Sequence, residues 1–121
     1  MNKDETRQNY LEAILILSQK IANVRAIDIC DYLGFARPTV SVALRQLKEE
    51  GYIDIEDNLV TLLEPGRKEA EMIYERHEIL AHILMDLGVK EETAYHDACK
   101  IEHYLSIESF TAIKKAYKSH K

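Results

Sequence analysis

Residues 26–62 read AIDICDYLGFARPTVSVALRQLKEEGYIDIEDNLVTL, and the fold follows from how this stretch changes its hydrophobic period. Ala26 to Leu33 forms a short helix that turns Ile27, Cys30 and Leu33 inward, and Gly34 then supplies the permissive backbone of a tight exit. Pro38 stands where a first helical turn tolerates it, and Val40, Leu44 and Leu47 make the inner stripe of a helix from Arg37 to Glu49. Gly51 ends that helix with Lys48 in its last turn. From Tyr52 to Ile55 the period drops from about 3.6 to about 2, which is a strand. Glu56, Asp57 and Asn58 turn the chain, and Leu59 to Leu62 returns as the second strand. Two helices across a glycine turn, followed by a hairpin, make a winged helix-turn-helix.

Outward from this unit the chain reads as helical. Tyr10, Ile14, Leu17 and Ile21 form one apolar stripe, so a first helix spans Asp4 to Lys20. Pro65 opens a long helix that Gly88 closes after Leu87; Ile73, His77, Leu80, Leu84 and Leu87 recur along it, with Met72 and Ile83 at the edges. A further helix runs from Glu91 through Leu105. Ser106 caps a last one with Glu108 near its positive end, and the basic tail from Lys114 to Lys121 frays. The fold class is therefore mainly α: a winged helix-turn-helix at 1–63, then a helical lobe at 64–121.

The length, 121 residues, suits one domain or two small lobes. No charged start followed by an apolar run marks a secretory signal or membrane span, and two distant cysteines, Cys30 and Cys99, fit a reducing cytoplasm. A net charge of −5 argues against indiscriminate coating of nucleic acid, because Lys and Arg on phosphate supply most non-specific affinity. Basic charge is instead local: Arg25, Arg37, Arg45 and Lys48 stand against Asp28 and Asp31 between Val24 and Lys48. The second helix of such a motif enters the major groove N-terminus first. Arg37 and Pro38 open that helix here; Thr39 and Ser41 offer hydroxyls, Arg37 and Arg45 reach phosphate or guanine, and Val42 suits a thymine methyl. Glu56 and Asp57 at the wing tip repel phosphate. The same fold also serves protein contacts, and that reading stays open.

In the second lobe Cys99, Glu102 and His103 fall at i, i+3 and i+4 of the expected helix, sharing a face. Thiolate, carboxylate and imidazole together suit a borderline divalent ion such as Fe(II), Zn(II), Co(II) or Ni(II). His77, an imidazole on an apolar stripe, and the helix-one pair Asn9 and Glu12 are further candidates. Taken singly, each has another reading. Cys30 is core, Cys99 and His77 alone pack as core residues, Glu102 and His103 alone form a solvated face, and His82, His96 and His120 are surface residues. An enzyme using Glu102 as a base is not expected, because nothing resembles a substrate loop or an oxyanion donor set.

Arg37-Pro38-Thr39-Val40-Ser41, the hairpin, Arg76-His77-Glu78, and the run from His96 to His103 resemble the diphtheria toxin repressor and manganese transport regulator family over nearly the whole chain. The resemblance implies a homodimer that binds a palindromic DNA operator when a divalent metal acts as corepressor. It implies Cys99, Glu102 and His103 as ligands of the iron-dependent branch, where manganese regulators carry glutamate at the Cys99 position, so Fe(II) comes first and Mn(II) second. Glu12 and His77 match further ligands of the manganese branch. Asn9 departs from the aspartate or methionine usual there and can offer only a carbonyl oxygen. Ala81 stands where the iron branch has a carboxylate of an ancillary site. The length implies the short, two-lobe form. Metal bound between the first helix and the Cys99–His103 helix is then expected to fix the DNA-reading lobes at the separation two major grooves require. The Ile73–Leu87 stripe, Phe110 and Ile113 are then the dimer surface or its support. A winged-helix regulator that senses no metal is the neighbouring alternative.

Overall fold

A computed structural model describes residues 3–119, apart from the side chain of Lys3; His120 and the end of the basic tail lie outside the described residues. Its elements are α1 (Lys3–Lys20), α2 (Ala26–Leu33), α3 (Arg37–Glu49), β1 (Ile53–Glu56), β2 (Leu59–Leu62), α4 (Glu64–Asp86), α5 (Glu91–Ile101) and α6 (Ile107–Ser119). They divide into two compact units, one ending at Glu71 and one starting at Met72.

The N-terminal unit is the winged helix-turn-helix. Asp4 and Glu5 in the first turn of α1 and Lys20 in its last oppose the helix dipole with the right signs. Tyr10, Leu11 and Ile14 of α1 pack with Ile29 and Cys30 of α2 and with Val40, Leu44 and Leu47 of α3; Ile53, Val60 and Ala70 close the core. Gly34 caps α2 in the left-handed region (φ 73°), and its N–H donates to Cys30 O. The inward face of α2 is offset from expectation. Ile29 is fully buried, whereas Ile27 is 47% exposed, because the helix turns its Ile29, Cys30 and Leu33 side toward α1 and α3. Ile21 also lies outside the core, beyond the end of α1.

The hairpin pairs Ile53 with Leu62 and Glu56 with Leu59, so Tyr52 precedes the strand and Glu56 belongs to it. Its two-residue loop has Asp57 at φ 52° and Asn58 at φ 66°, a combination a type I′ turn demands and Asp and Asn tolerate. Val60 N–H donates to Val24 O, which ties the hairpin to the approach of α2. Arg7 forms a two-pronged pair with Glu69, through Nε at 2.8 Å and Nη2 at 2.7 Å, and stacks over Tyr52. The paired carboxylate holds the guanidinium's proton more tightly than usual.

The C-terminal unit comprises the rest of α4 with α5 and α6. Leu80 and Ala81 meet Ala94 and Ala98, with Leu84, Met85, Val89, Tyr95, Leu105 and Ile113 packed around them. Leu87 falls past the end of α4 and is exposed, while Ile79 and Arg76 are buried on the helix instead. Ile73 and Phe110 are buried within the chain and so do not themselves form an exposed surface. Ser106 caps α6 as expected: its Oγ accepts from Ser109 N–H at 3.0 Å. Lys114 to Ser119 remain helical rather than frayed, with Lys114 paired to Glu75 at 2.8 Å. The expected run of α5 through Leu105 is corrected, since α5 stops at Ile101 and Tyr104 N–H closes a turn on Ile101 O.

At the start of α4 the chain passes so close to Tyr52 that a Cβ on Gly66 would fall onto the Tyr52 carbonyl oxygen, which already accepts from Leu63 N–H. Gly66→Ala is therefore expected to destabilise the protein by roughly 1–3 kcal/mol, the usual cost of overpacking. Chemical denaturation measures it directly, and a midpoint equal to that of the wild type would show the approach to be looser.

Candidate metal centre and DNA-facing groove

Glu102 follows the last residue of α5 and keeps helical backbone angles (φ −57°, ψ −32°), so its side chain still lies one turn beyond Cys99. Its carboxylate is fully buried, with 0% exposure, and faces imidazoles at both oxygens. Oε2 is 3.4 Å from His77 Nδ1 on α4, and Oε1 is 3.5 Å from His103 Nε2 in the turn after α5. His103, although beyond the helix, is only 2% exposed in its side chain.

His77, Cys99 and Glu102 each turn a donor atom to within 4.8 Å of the other two. Donors bonded at about 2.0–2.3 Å to one ion lie roughly 3–4.5 Å apart, so a small contraction fits the trio to a single cation. One nitrogen, one sulfur and one oxygen form the mixed set that borderline divalent ions prefer. Cys99 and Glu102 are the two members of this candidate trio that share a helical face by spacing, and His77 is the odd imidazole on the α4 stripe. His103 sits at the carboxylate's other oxygen, outside the trio. Asn9 is half-buried and Glu12 buried on α1 in the N-terminal unit.

Further residues shape the site. Tyr95 packs its ring 5.3 Å from that of His77 and donates its hydroxyl to Glu78 Oε2 at 2.9 Å. Burial, reinforced by that hydrogen bond, pushes the phenol up to about 12, so it stays a donor at neutral pH. His82, expected at the surface and with its side chain 45% exposed, lies 3.3 Å from Glu78 Oε2 and edge-on to Tyr95. Ala81 is fully buried in the α4 and α5 core, where a carboxylate would be stranded without water. Arg76 was missed as well. The signal available was its place beside His77, but an arginine on a helix reads as solvated.

In the N-terminal unit the outer face of α3 is open. Arg37, Pro38, Thr39, Val42 and Arg45 are exposed, Val42 to 62%, and Ser41 is half-buried. A groove of about 460 Å³ runs between α3, the start of α2 and the hairpin, and Arg25, Arg37, Arg45 and Lys48 all line it. Lys48 Nζ donates to Ile55 O at 3.3 Å, which leans this cation toward the wing base. Ala36 caps α3 without a side-chain acceptor, so the first amides of the helix have no capping oxygen. Arg25 and Lys48 thus line the same groove as Arg37 and Arg45, and the exposed acidic wing tip, Glu56 and Asp57, lies in sequence between its lining residues Ile55 and Asn58.

Among known proteins, the iron-dependent repressor N-terminal DNA-binding domain matches residues 4–59, and the iron-dependent repressor metal-binding and dimerisation domain matches residues 63–121. The transcriptional regulator MntR of Escherichia coli is 33% identical over 120 residues, covering 98% of this chain and 77% of that protein. MntR of Geobacillus thermodenitrificans is 34% identical over 100 residues, covering 82% of this chain and 71% of its own length. A manganese-dependent transcriptional repressor solved with manganese superposes with a TM-score of 0.84 at 26% identity over 93% of this chain. The chain spans about half of that solved protein, 52%. With domain matches spanning nearly all of the sequence and relatives above 30% identity, the chain belongs to the iron-dependent repressor family, the metal-dependent transcriptional regulators of the diphtheria toxin repressor and MntR type.

Proposed function

We propose that this chain is a repressor of metal-homeostasis genes that binds a palindromic operator as a homodimer, with Fe(II) ahead of Mn(II) as corepressor. The observation that carries the reading is the trio of His77, Cys99 and Glu102 around one fully buried carboxylate. The thiolate argues for Fe(II), since a softer donor disfavours manganese relative to the later divalent ions. The relatives named as manganese regulators argue for keeping Mn(II) as the second choice. His103 is the next donor in reach of Glu102, and the resemblance adds Glu12 and Asn9 on α1 as further ligands. When bound, the divalent ion supplies positive charge to the buried carboxylate and a fixed link among side chains of α4 and α5.

The residues of the chain do the rest. Residues 1–63 carry the DNA-reading surface and 64–121 the metal-binding and dimerisation part. Arg37 and Arg45 are the side chains on α3 able to form a two-pronged contact with guanine, each such contact giving about 1–3 kcal/mol of discrimination. Thr39, Ser41 and the uncapped amides after Ala36 suit phosphate or base edges, Pro38 fixes the start of the helix, and exposed Val42 suits a thymine methyl. Arg25 and Lys48 supply phosphate contacts that the acidic wing tip does not. Such a regulator meets its operator in the cytoplasm, where a reduced Cys99 is available.

Anaerobic fluorescence anisotropy on a palindromic duplex tests the whole. Fe(II) or Mn(II) is expected to tighten binding by about 5- to 150-fold over chelator, the usual range of allosteric coupling. Binding that no metal and no chelator alters would leave a regulator that senses no metal. Cys99→Ala is expected to lose the Fe(II) response, and Cys99→Glu to raise Mn(II) above Fe(II) in the ranking. An unchanged ranking would remove the thiolate from metal choice.

The groove gives a separate expectation. Arg25→Ala and Lys48→Ala should each lower the slope of log affinity against log salt by about 0.9 and weaken all sequences alike. Arg45→Ala should instead weaken the operator more than a scrambled duplex. A slope unchanged in the first two variants would take their cations off the phosphate backbone.

A further inference from the structure

We propose that Arg76 is the positioning residue of the metal centre: its buried guanidinium fixes the backbone of Glu102 and joins the turn carrying Glu102 and His103 to α6. This rests on the metal-binding reading above. Arg76 is 5% exposed, and its Nη1 donates to Glu102 O at 3.0 Å and to Leu105 O at 2.9 Å. Those carbonyls bracket the connection between α5 and α6. The last carbonyls of a helix lack intrahelical partners, and buried ones need a donor from elsewhere. Here one charged donor meets two acceptors, and charge-assisted hydrogen bonds are roughly twice as strong as neutral ones. The guanidinium also lies over the ring of Phe110 near the start of α6, 5.1 Å from its centroid.

Arg76 and His77 are neighbours on α4, and they reach the same residue at its two ends. Arg76 takes the Glu102 carbonyl, while His77 Nδ1 stands 3.4 Å from the carboxylate. Because Glu102 is at the helix cap, where its backbone is not committed to a continuing helix, the carbonyl anchor sets the direction of the side chain. The adjacent Glu75 to Lys114 pair also links this stretch of α4 to α6. A purely stabilising role would favour a different side chain. A buried cation is costly, and Arg76 Nε has no hydrogen-bond partner among the described residues, whereas an apolar chain of similar length would leave no donor unmet.

The test uses the full chain and Co(II), whose thiolate charge-transfer band and visible ligand-field bands report donors and geometry without any DNA. Arg76→Met is expected to weaken Co(II) binding roughly 10- to 100-fold, the range seen when groups supporting metal ligands are removed, and to alter the visible bands. Arg76→Lys, which keeps a charged donor, should recover part of the affinity. In the metal-free protein, hydrogen exchange in Arg76→Met should quicken at residues 102–110 and stay unchanged in α2 and α3. A wild type without the thiolate band overturns the metal reading and this proposal together. A normal wild type alongside an Arg76→Met variant of equal affinity and identical spectrum overturns this proposal alone, as does unchanged exchange at residues 102–110. If Arg76→Met does not fold, Arg76→Lys with wild-type affinity and exchange counts against the role, and an intermediate affinity with faster exchange supports it.

Discussion

A carboxylate withdrawn completely from water is the constraint around which the C-terminal unit is arranged. Glu102 has no exposed surface, and an isolated buried anion is too costly to persist. The unit answers with imidazoles at both oxygens, His77 from α4 and His103 from the following turn. It also brings a thiol within 4.8 Å. Packing follows the same demand. Ala81, Ala94 and Ala98 keep the neighbouring surfaces of α4 and α5 small, so that His77, one turn before Ala81, and Cys99, next to Ala98, are delivered to Glu102. The polar site and the apolar contact are thus consecutive layers of one helix pair.

Much of this was legible in the sequence, and the reason differs by element. Helices α2 and α3 have the boundaries expected of them because Gly34, Pro38 and Gly51 punctuate the chain, and backbone chemistry of that kind acts locally. The end of α5 carried no such mark. There Arg76, twenty-six positions upstream of Glu102, donates to the Glu102 and Leu105 carbonyls, a contact that no local spacing announces. The choice between Ile27 and Ile29 was equally illegible. Both fit a helical stripe in an eight-residue helix, and only the positions of α1 and α3 decide which one meets the core. Of the candidate site, spacing found Cys99 and Glu102. It was blind to the supporting shell of Tyr95, Glu78 and Arg76, whose partners lie on other helices.

Charge in the N-terminal unit is distributed rather than abundant. A chain of net charge −5 concentrates Arg25, Arg37, Arg45 and Lys48 along one groove and leaves Glu56 and Asp57 at the tip of the hairpin. The charge lining the groove beside α3 is thus opposite in sign to the net charge of the molecule. Long-range attraction to a polyanion is weak, whereas attraction in the correct orientation is retained. Such a distribution keeps the positive charge of the unit local to one face rather than spread over the molecule.

The two units are also unequal in how they are held folded. Among the described residues the N-terminal core joins large side chains from α1, α2, α3, the hairpin and the start of α4. In the C-terminal unit the buried contact between α4 and α5 is Leu80 with Ala81, Ala94 and Ala98, ringed by half-buried side chains such as Leu84, Met85 and Tyr95, while Ile73, Ile79 and Phe110 are buried as well. Alanines contribute little apolar area of their own, so at that contact the polar links made by Arg76 and Glu102 carry a larger share of what joins α4 to the chain that follows it. A ligand that binds only the folded form adds about 2.7 kcal/mol at a hundred times its dissociation constant, and a seam of small residues is where such an addition is felt first.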